Sequence, residues 1–166
     1  MKVIRFAEAD VPGALARQVA DLEEAAWPGS TPGHDPLLAP RALLLVHADG
    51  TVLASLALLF KEVPLAGRTY RAAGLSAVVT RAALRGKGHG GRLVRAARAA
   101  LAADPAVDLA LFSCDRPLVP FYEAAGFEGL PRHRAGRRHP AGAARHRRTG
   151  LRQGGPGRLL HGRPGA

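Results

Sequence analysis

The sequence is organised around residues 85–91, which read Arg-Gly-Lys-Gly-His-Gly-Gly. A strand-like run at residues 75–80, Leu-Ser-Ala-Val-Val-Thr, precedes this loop, and a helix-like run at residues 92–103 follows it. Glycine lets a backbone approach a ligand closely and present bare N–H groups to it. A helix start adds unsatisfied N–H donors and the positive end of the helix dipole. The three parts together predict a site for a phosphate group.

Other interpretations of this loop fit less well. A Walker A loop needs Ser or Thr directly after its Gly-Lys pair, but Gly88 follows Lys87 here. A dinucleotide fingerprint is present as Gly86, Gly88 and Gly91, although residues 81–84 separate it from the strand and its nearest suitable acid is Asp115. That fingerprint normally follows its strand at once. The dinucleotide site and a solvated basic turn remain as alternatives.

Two motifs carry a family resemblance. The first is Arg85-x-x-Gly88-x-Gly90 after a Val-Val-Thr strand end, and the second is Tyr-Glu-Ala-Ala-Gly-Phe at residues 122–127. They resemble, in order and spacing, the acetyl-CoA loop and the Tyr-Glu-x-x-Gly-Phe helix end of the GCN5-related N-acetyltransferases (GNAT). The resemblance covers residues 1 to about 130. Residues 41–127 somewhat resemble the aminoglycoside N-acetyltransferases of that family.

This resemblance implies an α/β fold with a central mixed β-sheet flanked by helices. It also implies an enzyme that transfers an acetyl group from acetyl-CoA to a primary amine of a small molecule. In the family, backbone N–H groups of the loop hold the pyrophosphate, while the end of the preceding strand pairs with the pantetheine arm and polarises the thioester carbonyl. The positions that match these cofactor-binding roles are Val78, Val79, Thr80, Arg85, Gly86, Lys87, Gly88, His89, Gly90 and Gly91.

The resemblance assigns one catalytic residue and leaves another open. Tyr122 matches the tyrosine that protonates the departing thiolate in many relatives; its alternative role is packing. Relatives often carry a glutamate on the strand before the loop that acts as the general base. Residues 63–103 contain no acid here, so Glu62 is the nearest candidate for that role. Cys114 follows a strand end, but an acyl-cysteine route needs a paired base and no histidine lies near it in sequence. No metal-ligand pattern is expected.

Charge is concentrated in one part of the chain. The net charge is +11, but residues 131–166 hold ten arginines and no acid, so the rest is nearly neutral. Such a tail could neutralise nucleic-acid phosphates, yet it has no aromatic residue for stacking, so nucleic acid is a disfavoured partner. One cysteine and no long apolar run near the N-terminus predict a cytoplasmic protein without a membrane partner. A homodimer is the assembly to test.

Periodicity and turn residues predict the order β-α-β-β-β-α-β-α. Asp10 is the expected N-cap of the first helix, and Asp-Gly at residues 49–50 predicts a hairpin. Residues 28–40 hold four prolines and two glycines and should form an irregular loop, which the family resemblance implies covers the acceptor pocket. Trp27, His34 and Asp35 are candidate acceptor contacts there, although simple packing and solvated polar groups are the favoured interpretation.

The chain divides into an acetyl-CoA-binding domain at residues 1–130 and a basic tail at residues 131–166. The tail is rich in Arg, Gly, Pro and His and shows no apolar periodicity, so it should be disordered. The sheet is therefore expected to lack the last two strands usual in the family. Because this composition is typical of GC-rich coding sequence read out of frame, we also expect a frame-shifted ending, with a native basic tail as the alternative. Translation of the other two frames tests this.

Overall fold

The computed structural model describes residues 1–130 and the backbone of Arg158–Gly162. The helices and strands are, in chain order, β1 (Lys2–Ala7), α1 (Gly13–Ala26), β2 (Arg41–Val46), β3 (Val52–Leu65), β4 (Arg68–Thr80), α2 (His89–Ala102), β5 (Leu109–Cys114), α3 (Val119–Glu123), β6 (Glu128–Gly129) and β7 (Arg158–Gly162). Short 3₁₀ turns lie at Glu8–Asp10, Pro36–Leu38, Ala82–Leu84 and Arg116–Leu118.

The strands form one mixed sheet. Their spatial order is β1-β2-β3-β4-β5-β7-β6. Strands β4 and β5 run parallel, whereas the other neighbours in the described sheet run antiparallel. The chain between β4 and β5 forms α2, as a parallel crossover requires. The predicted α/β class, a central mixed sheet flanked by helices, is therefore confirmed.

Both faces of the central strands are buried. Because side chains alternate along a strand, β2 sends Leu43 and Leu45 to the face covered by α2, in a cluster with Leu93. It sends Leu44 to the face covered by α1, in a cluster with Leu22. The apolar stripe of α2 follows the helical period, and its members are all buried: Leu93, Val94, Ala97 and Leu101.

The start of α1 differs from the prediction. Asp10 lies in the 3₁₀ turn Glu8–Asp10 and does not cap the helix; Pro12 is the N-cap residue and makes no side-chain cap bond. Proline has no N–H to donate and is well suited to a helix start. The extra turn is tied to the loop at residues 28–40, because the Glu8 N–H donates to the Pro40 carbonyl at 2.9 Å. This turn directs Glu8 toward the predicted acceptor side.

The sheet does not end where the sequence predicted. Arg158–Gly162 forms β7, which pairs with β5 from Ala110 to Cys114 and with the short strand β6. The expectation that the sheet lacks its last strands is therefore wrong for this segment. Ladder bonds join backbone groups, so the free edge of β5 can be covered by a segment with little apolar periodicity. The predicted disorder of the remaining tail and the frame-shift hypothesis concern residues outside those described.

Gly90 is a packing requirement of the fold. A Cβ at Gly90 would lie 2.8 Å from Thr80 Oγ1 and 3.4 Å from Phe121 Cζ, so α2 can approach the end of β4 only because that carbon is absent. We expect Gly90→Ala to lower the free energy of unfolding by about 1–3 kcal/mol, as measured by urea denaturation.

Gly91→Ala is the matched control for this prediction. Its Cβ would lie 3.4 Å from the end of the flexible Arg95 side chain and 3.9 Å from Phe121 Cε2, which is an ordinary contact. Alanine has the higher helix propensity, so this variant should be unchanged or more stable by up to about 1 kcal/mol. Equal destabilisation by the two substitutions would contradict the packing role of Gly90.

Candidate active site

The two parallel strands part soon after they meet. Strands β4 and β5 pair only at Ala72 with Leu109 and at Ala73 with Ala110. At the next position, a Cβ on Gly74 would lie 3.2 Å from the Leu111 carbonyl oxygen, which explains the glycine within this strand. The two strands therefore splay apart beyond Ala73. The open edge of β4 from Ala73 to Thr80 is about 23 Å long at roughly 3.3 Å per residue.

A β-bulge lies in the middle of this open edge. Ser76 pairs with Ala57 and Val79 with Ser55, so Leu56 of β3 faces two residues of β4. One of them, Ala77, has a φ of 48°, a left-handed conformation that a residue with a Cβ rarely adopts. A bulge leaves backbone groups outside the ladder and redirects neighbouring side chains. The bulge lies nearer the glycine loop than Gly74 does.

The glycine loop ends in the helix N-terminus that the sequence predicted. Gly86 and Gly88 have φ values of 77° and 80°, and a Cβ on either would meet no atom within 4 Å. Gly88 is the N-cap residue of α2, and its carbonyl accepts from the Arg92 N–H at 3.0 Å. The N–H groups of residues 89–91 lack intrahelical acceptors, and no other described residue supplies one. Bare donors thus point out of the loop.

The basic side chains around the loop are held differently. Arg81 is anchored, because its Nε donates to the Val52 carbonyl at 3.1 Å. Arg85 is exposed and makes a long contact, 3.4 Å, from Nε to the Thr80 carbonyl. Lys87 is exposed and makes no side-chain hydrogen bond within the described part of the chain. Arg85 and Lys87 can therefore turn toward an anion at the loop.

The topology disfavours the alternative of a dinucleotide site. In doubly wound folds, that fingerprint follows the first strand of a sheet that has several parallel strands. Within the described sheet, β4 has only β5 as a parallel neighbour, and its other neighbour, β3, is antiparallel. Asp115, the acid that interpretation needs, is the N-cap residue of the 3₁₀ turn Arg116–Leu118. The solvated-turn alternative is also disfavoured, because Gly90 is buried.

Tyr122 lies on α3, beside β5. Its ring packs edge-to-face on Phe112 and on Phe121, each with centroids 5.0 Å apart. Burial, reinforced by the nearby Cys114, raises the pKa of Tyr122 to about 12. The phenol therefore keeps its proton across the neutral range. Only 6% of the residue is exposed.

Glu62 is not brought to this site. It is exposed near the far end of the β3–β4 hairpin, where it pairs with Arg71. From Arg71 to Ala77 the strand advances by about 20 Å at roughly 3.3 Å per residue. At that distance Glu62 does not reach the bulge, so the structure does not bring this candidate base together with the glycine loop and the end of β4. Its position follows from the antiparallel register, which sequence order does not reveal.

Sequence reasoning missed a hydrogen-bonded group at the bulge. His34 Nδ1 lies 2.8 Å from Glu8 Oε1, and His34 Nε2 lies 2.9 Å from Ser76 Oγ. The His34 backbone N–H also donates to Glu8 Oε2, at 3.2 Å. Among the three candidate acceptor contacts, Trp27 is exposed and Asp35 accepts from the Leu37 N–H, so only His34 joins such a network. The Pro/Gly-rich loop was the one signal for it.

Two cavities meet at Glu8 and Gly33. One, of about 150 Å³, lies under α1 and is lined in part by Glu23 and Ser55. The other, of about 500 Å³, is lined in part by His34. Ser55 Oγ is buried without a hydrogen-bond partner among the described residues. Burial raises the pKa of Glu23, nearby His34 opposes this, and Glu8 adds to it. These cavities offer acidic and polar groups to a ligand.

The sheet opening, the loop and the buried tyrosine are the parts that the GNAT resemblance implied. A family model described as an acetyltransferase (GNAT) domain matches residues 11–129. The chain therefore belongs to the GNAT acetyltransferase family. No curated protein matches the sequence significantly.

Solved structures share this fold. An acyl-CoA N-acyltransferase from Pseudomonas aeruginosa superposes with a TM-score of 0.63 at 19% identity, over 96% of this chain and 97% of that one. Glucosamine-6-phosphate N-acetyltransferase from Arabidopsis thaliana gives 0.57 at 13% identity, over 82% and 97%. A probable N-acyltransferase from Enterococcus faecalis gives 0.59 at 19% identity, but this chain spans only 32% of its length and 76% of its own. At these identities the likeness concerns the fold.

In the described ranges, no helix is long and apolar enough to cross a membrane. No group of three or more His, Cys, Asp or Glu side chains within those ranges is placed to hold a metal ion.

Tyr122 should ionise only at high pH. The chain has two tyrosines, so in Tyr70→Phe the tyrosinate absorbance reports Tyr122 alone. We expect a midpoint near pH 12 in the folded protein and a lower one in urea. Because the folded pKa is raised, the stabilising contribution of the neutral phenol is present below about pH 10 and lost as the pH rises through the folded value. A folded midpoint near pH 10 would contradict the burial argument.

Proposed function

We propose that this chain transfers an acetyl group from acetyl-CoA to a primary amine of a small molecule. The observation that carries the proposal is that the unpaired edge of β4 runs directly into the glycine loop. The unpaired edge of β4 leads from Ala73 to Thr80, and the loop at its end presents the free N–H groups at the start of α2. One extended ligand with a terminal pyrophosphate can use both.

The loop suits the pyrophosphate end of acetyl-CoA. The free N–H groups of residues 89–91 and the positive end of the α2 dipole favour a bound anion, and Arg85 and Lys87 add charge. The backbone of Val78, Val79 and Thr80 is the proposed partner of the pantetheine arm, as a strand would be. A donor from this segment, freed from the ladder by the bulge at Ala77, would polarise the thioester carbonyl.

Tyr122 is the proposed proton donor to the leaving thiolate. Its raised pKa supports this role, because the proton is present on the phenol at neutral pH. A general acid of this kind contributes about 10²–10⁴-fold to the rate. Cys114, although near Tyr122, has no role in this proposal.

The cleft beside α1 is the proposed acceptor site. Glu8 and Glu23 place carboxyl groups there, and Ser55 Oγ needs a hydrogen-bond partner. A small ligand that carries amino groups would satisfy these groups, because ammonium is the complementary cation. The similar Arabidopsis thaliana structure is that of an enzyme named for such an amine, glucosamine-6-phosphate. Which amine this chain accepts is a separate question from its chemistry.

Gly88→Val tests the loop. A branched side chain disfavours the φ of 80° at Gly88, so the loop should shift its donors away from the pyrophosphate. Each charge-assisted hydrogen bond lost should weaken acetyl-CoA binding about 10–150-fold, as measured by calorimetry.

Gly67→Val is the matched control for this prediction. Gly67 has a φ of 76° in the β3–β4 turn and equally open surroundings, so it should lose similar stability but no affinity. Unchanged affinity in a folded Gly88→Val variant would contradict the proposed function.

Tyr122→Phe tests the proton donor. The substitution keeps the ring that packs on Phe112 and Phe121, so acetyl-CoA affinity should stay close to that of the wild type. Turnover should fall about 10²–10⁴-fold, measured as release of free CoA thiol with an accepted amine. Tyr70→Phe serves as the control. Wild-type turnover in Tyr122→Phe would return Tyr122 to a packing role.

A further inference from the structure

Glu8, His34 and Ser76 form a continuous hydrogen-bonded chain. The Glu8 carboxylate accepts two bonds from His34, one from the ring at Nδ1 and one from the backbone N–H. Since Nδ1 must carry its hydrogen to donate to a carboxylate, Nε2 of the neutral ring is left as an acceptor. Ser76 Oγ, 2.9 Å away, is therefore the donor to Nε2. This arrangement orients a serine hydroxyl and a neutral imidazole for proton transfer.

The three residues come from separate parts of the chain. Glu8 lies in the 3₁₀ turn before α1, His34 in the Pro/Gly-rich loop, and Ser76 on β4. The side chains of Glu8 and His34 are mostly buried, with 26% and 15% exposed. A buried carboxylate held by two donors restrains the ring more firmly than an exposed contact would. The three side chains are thus held by several hydrogen bonds in a partly buried position, unlike a single ion pair on the surface.

Ser76 lies at the opening between the strands. It is three positions beyond the last paired residue, Ala73, and directly before the bulge at Ala77. Its cross-strand partner, Ala57, lines the cavity under α1, so Ser76 faces that side of the sheet. Tyr122 belongs to the core cluster on the α2 side. The opening is therefore bounded by a proton donor on one face and by the Ser76–His34 pair on the other.

We propose that Ser76 and His34, oriented by Glu8, form the proton-accepting relay for the acceptor amine. This inference rests on the proposed function and supplies the base that the sequence left unassigned. Ser76 is the residue that touches the amine; His34 takes the proton through it, and Glu8 is a positioning residue. No single glutamate on β4 is then required.

The steps of this relay balance. The acceptor enters as an ammonium ion. One of its protons passes to Ser76 Oγ while the Ser76 hydrogen passes to His34 Nε2, and the freed nitrogen bonds to the thioester carbonyl carbon. The resulting imidazolium is stabilised by the Glu8 carboxylate. Collapse of the adduct breaks the C–S bond, and the thiolate takes the Tyr122 proton. The nitrogen gives up a further proton as the neutral amide forms, water returns that proton to Tyr122, and water also removes the proton held by His34. No oxidant or metal is needed.

The alternative for such a trio is an acyl-serine. Nucleophilic serines typically sit on a strained turn that exposes their oxygen. Here Ser76 keeps its regular register with Ala57, and the residue with the left-handed φ is the following one, Ala77. The carboxyl groups of Glu8 and Glu23 lie near His34. Their negative charge also favours a cationic amine beside Ser76. We therefore assign Ser76 to proton transfer, with acetylation of Ser76 as an outcome to be tested.

The test compares two amines of different basicity with acetyl-CoA near neutral pH. Ethylamine is almost entirely protonated there and needs a base, whereas hydroxylamine is mostly unprotonated. We expect Ser76→Ala and His34→Gln to lower kcat with ethylamine about 10²–10⁴-fold, and with hydroxylamine by far less. Glu8→Gln should show the same pattern with a smaller loss, because the ring keeps an acceptor for Nδ1–H. A merely structural defect would slow both amines equally.

His47→Gln is the matched control. His47 makes a similar contact, 3.2 Å to Asp49, but in the exposed β2–β3 turn, so both rates should be unchanged. Thermal melting and acetyl-CoA calorimetry of every variant show whether it is folded and binds the donor. If His34→Gln does not fold, Ser76→Ala carries the test, since it only removes a hydroxyl.

Each outcome is decisive. Selective loss with ethylamine supports the relay. Equal losses for both amines, unchanged rates, or a wild type that binds acetyl-CoA but does not acetylate ethylamine would overturn it and leave the donor-site proposal standing. An acetyl group on Ser76, detected by mass spectrometry after rapid quenching, would replace it with the acyl-serine route. A wild type that does not bind acetyl-CoA would instead overturn the proposed function.

Discussion

Strands β4 and β5 share a ladder only at Ala72 and Ala73 of β4, and the rest of the site depends on that short contact. Beyond it, a central strand carries backbone groups without a partner strand among the described residues, although unpaired backbone groups are strongly disfavoured in a protein interior. The sheet is held open by the crossover through α2 and by the bulge at Ala77. An extended ligand that pairs with this edge would complete the ladder.

Glycine sets how closely the parts around the opening approach. Gly74 lets the strands stay paired up to the point where they part, because a Cβ there would press on the Leu111 carbonyl. Gly90 lets the first turn of α2 lie against Thr80 and Phe121, which brings free N–H groups to the end of the open edge. Gly88 supplies the left-handed backbone at the N-cap. Three glycines thus bring the free N–H groups at the start of α2 into line with the open edge of β4.

The opening also separates two kinds of proton chemistry. On the α2 side, aromatic packing keeps the Tyr122 phenol protonated, since burial penalises its anion. On the α1 side, the His34 ring lies between the Glu8 carboxylate and the Ser76 hydroxyl. Because a β-sheet is a single layer, the proposed proton donor and the proposed relay lie on opposite sides of it and do not contact each other.

The sequence by itself determined the local features: the glycine loop, the apolar stripe of Leu93, Val94, Ala97 and Leu101, and the hairpin at residues 49–50. Each follows from a pattern within a few residues, where backbone preference and periodicity decide the outcome. The tertiary structure alone decided which distant groups meet. Glu8 and Ser76 lie 26 and 42 positions from His34, and Glu62 is carried away from the bulge, because strand register and the path of a Pro/Gly-rich loop set those distances. The pairing of β7 with β5 was decided in the same way, since a free strand edge is satisfied through backbone bonds rather than through a recognisable side-chain pattern.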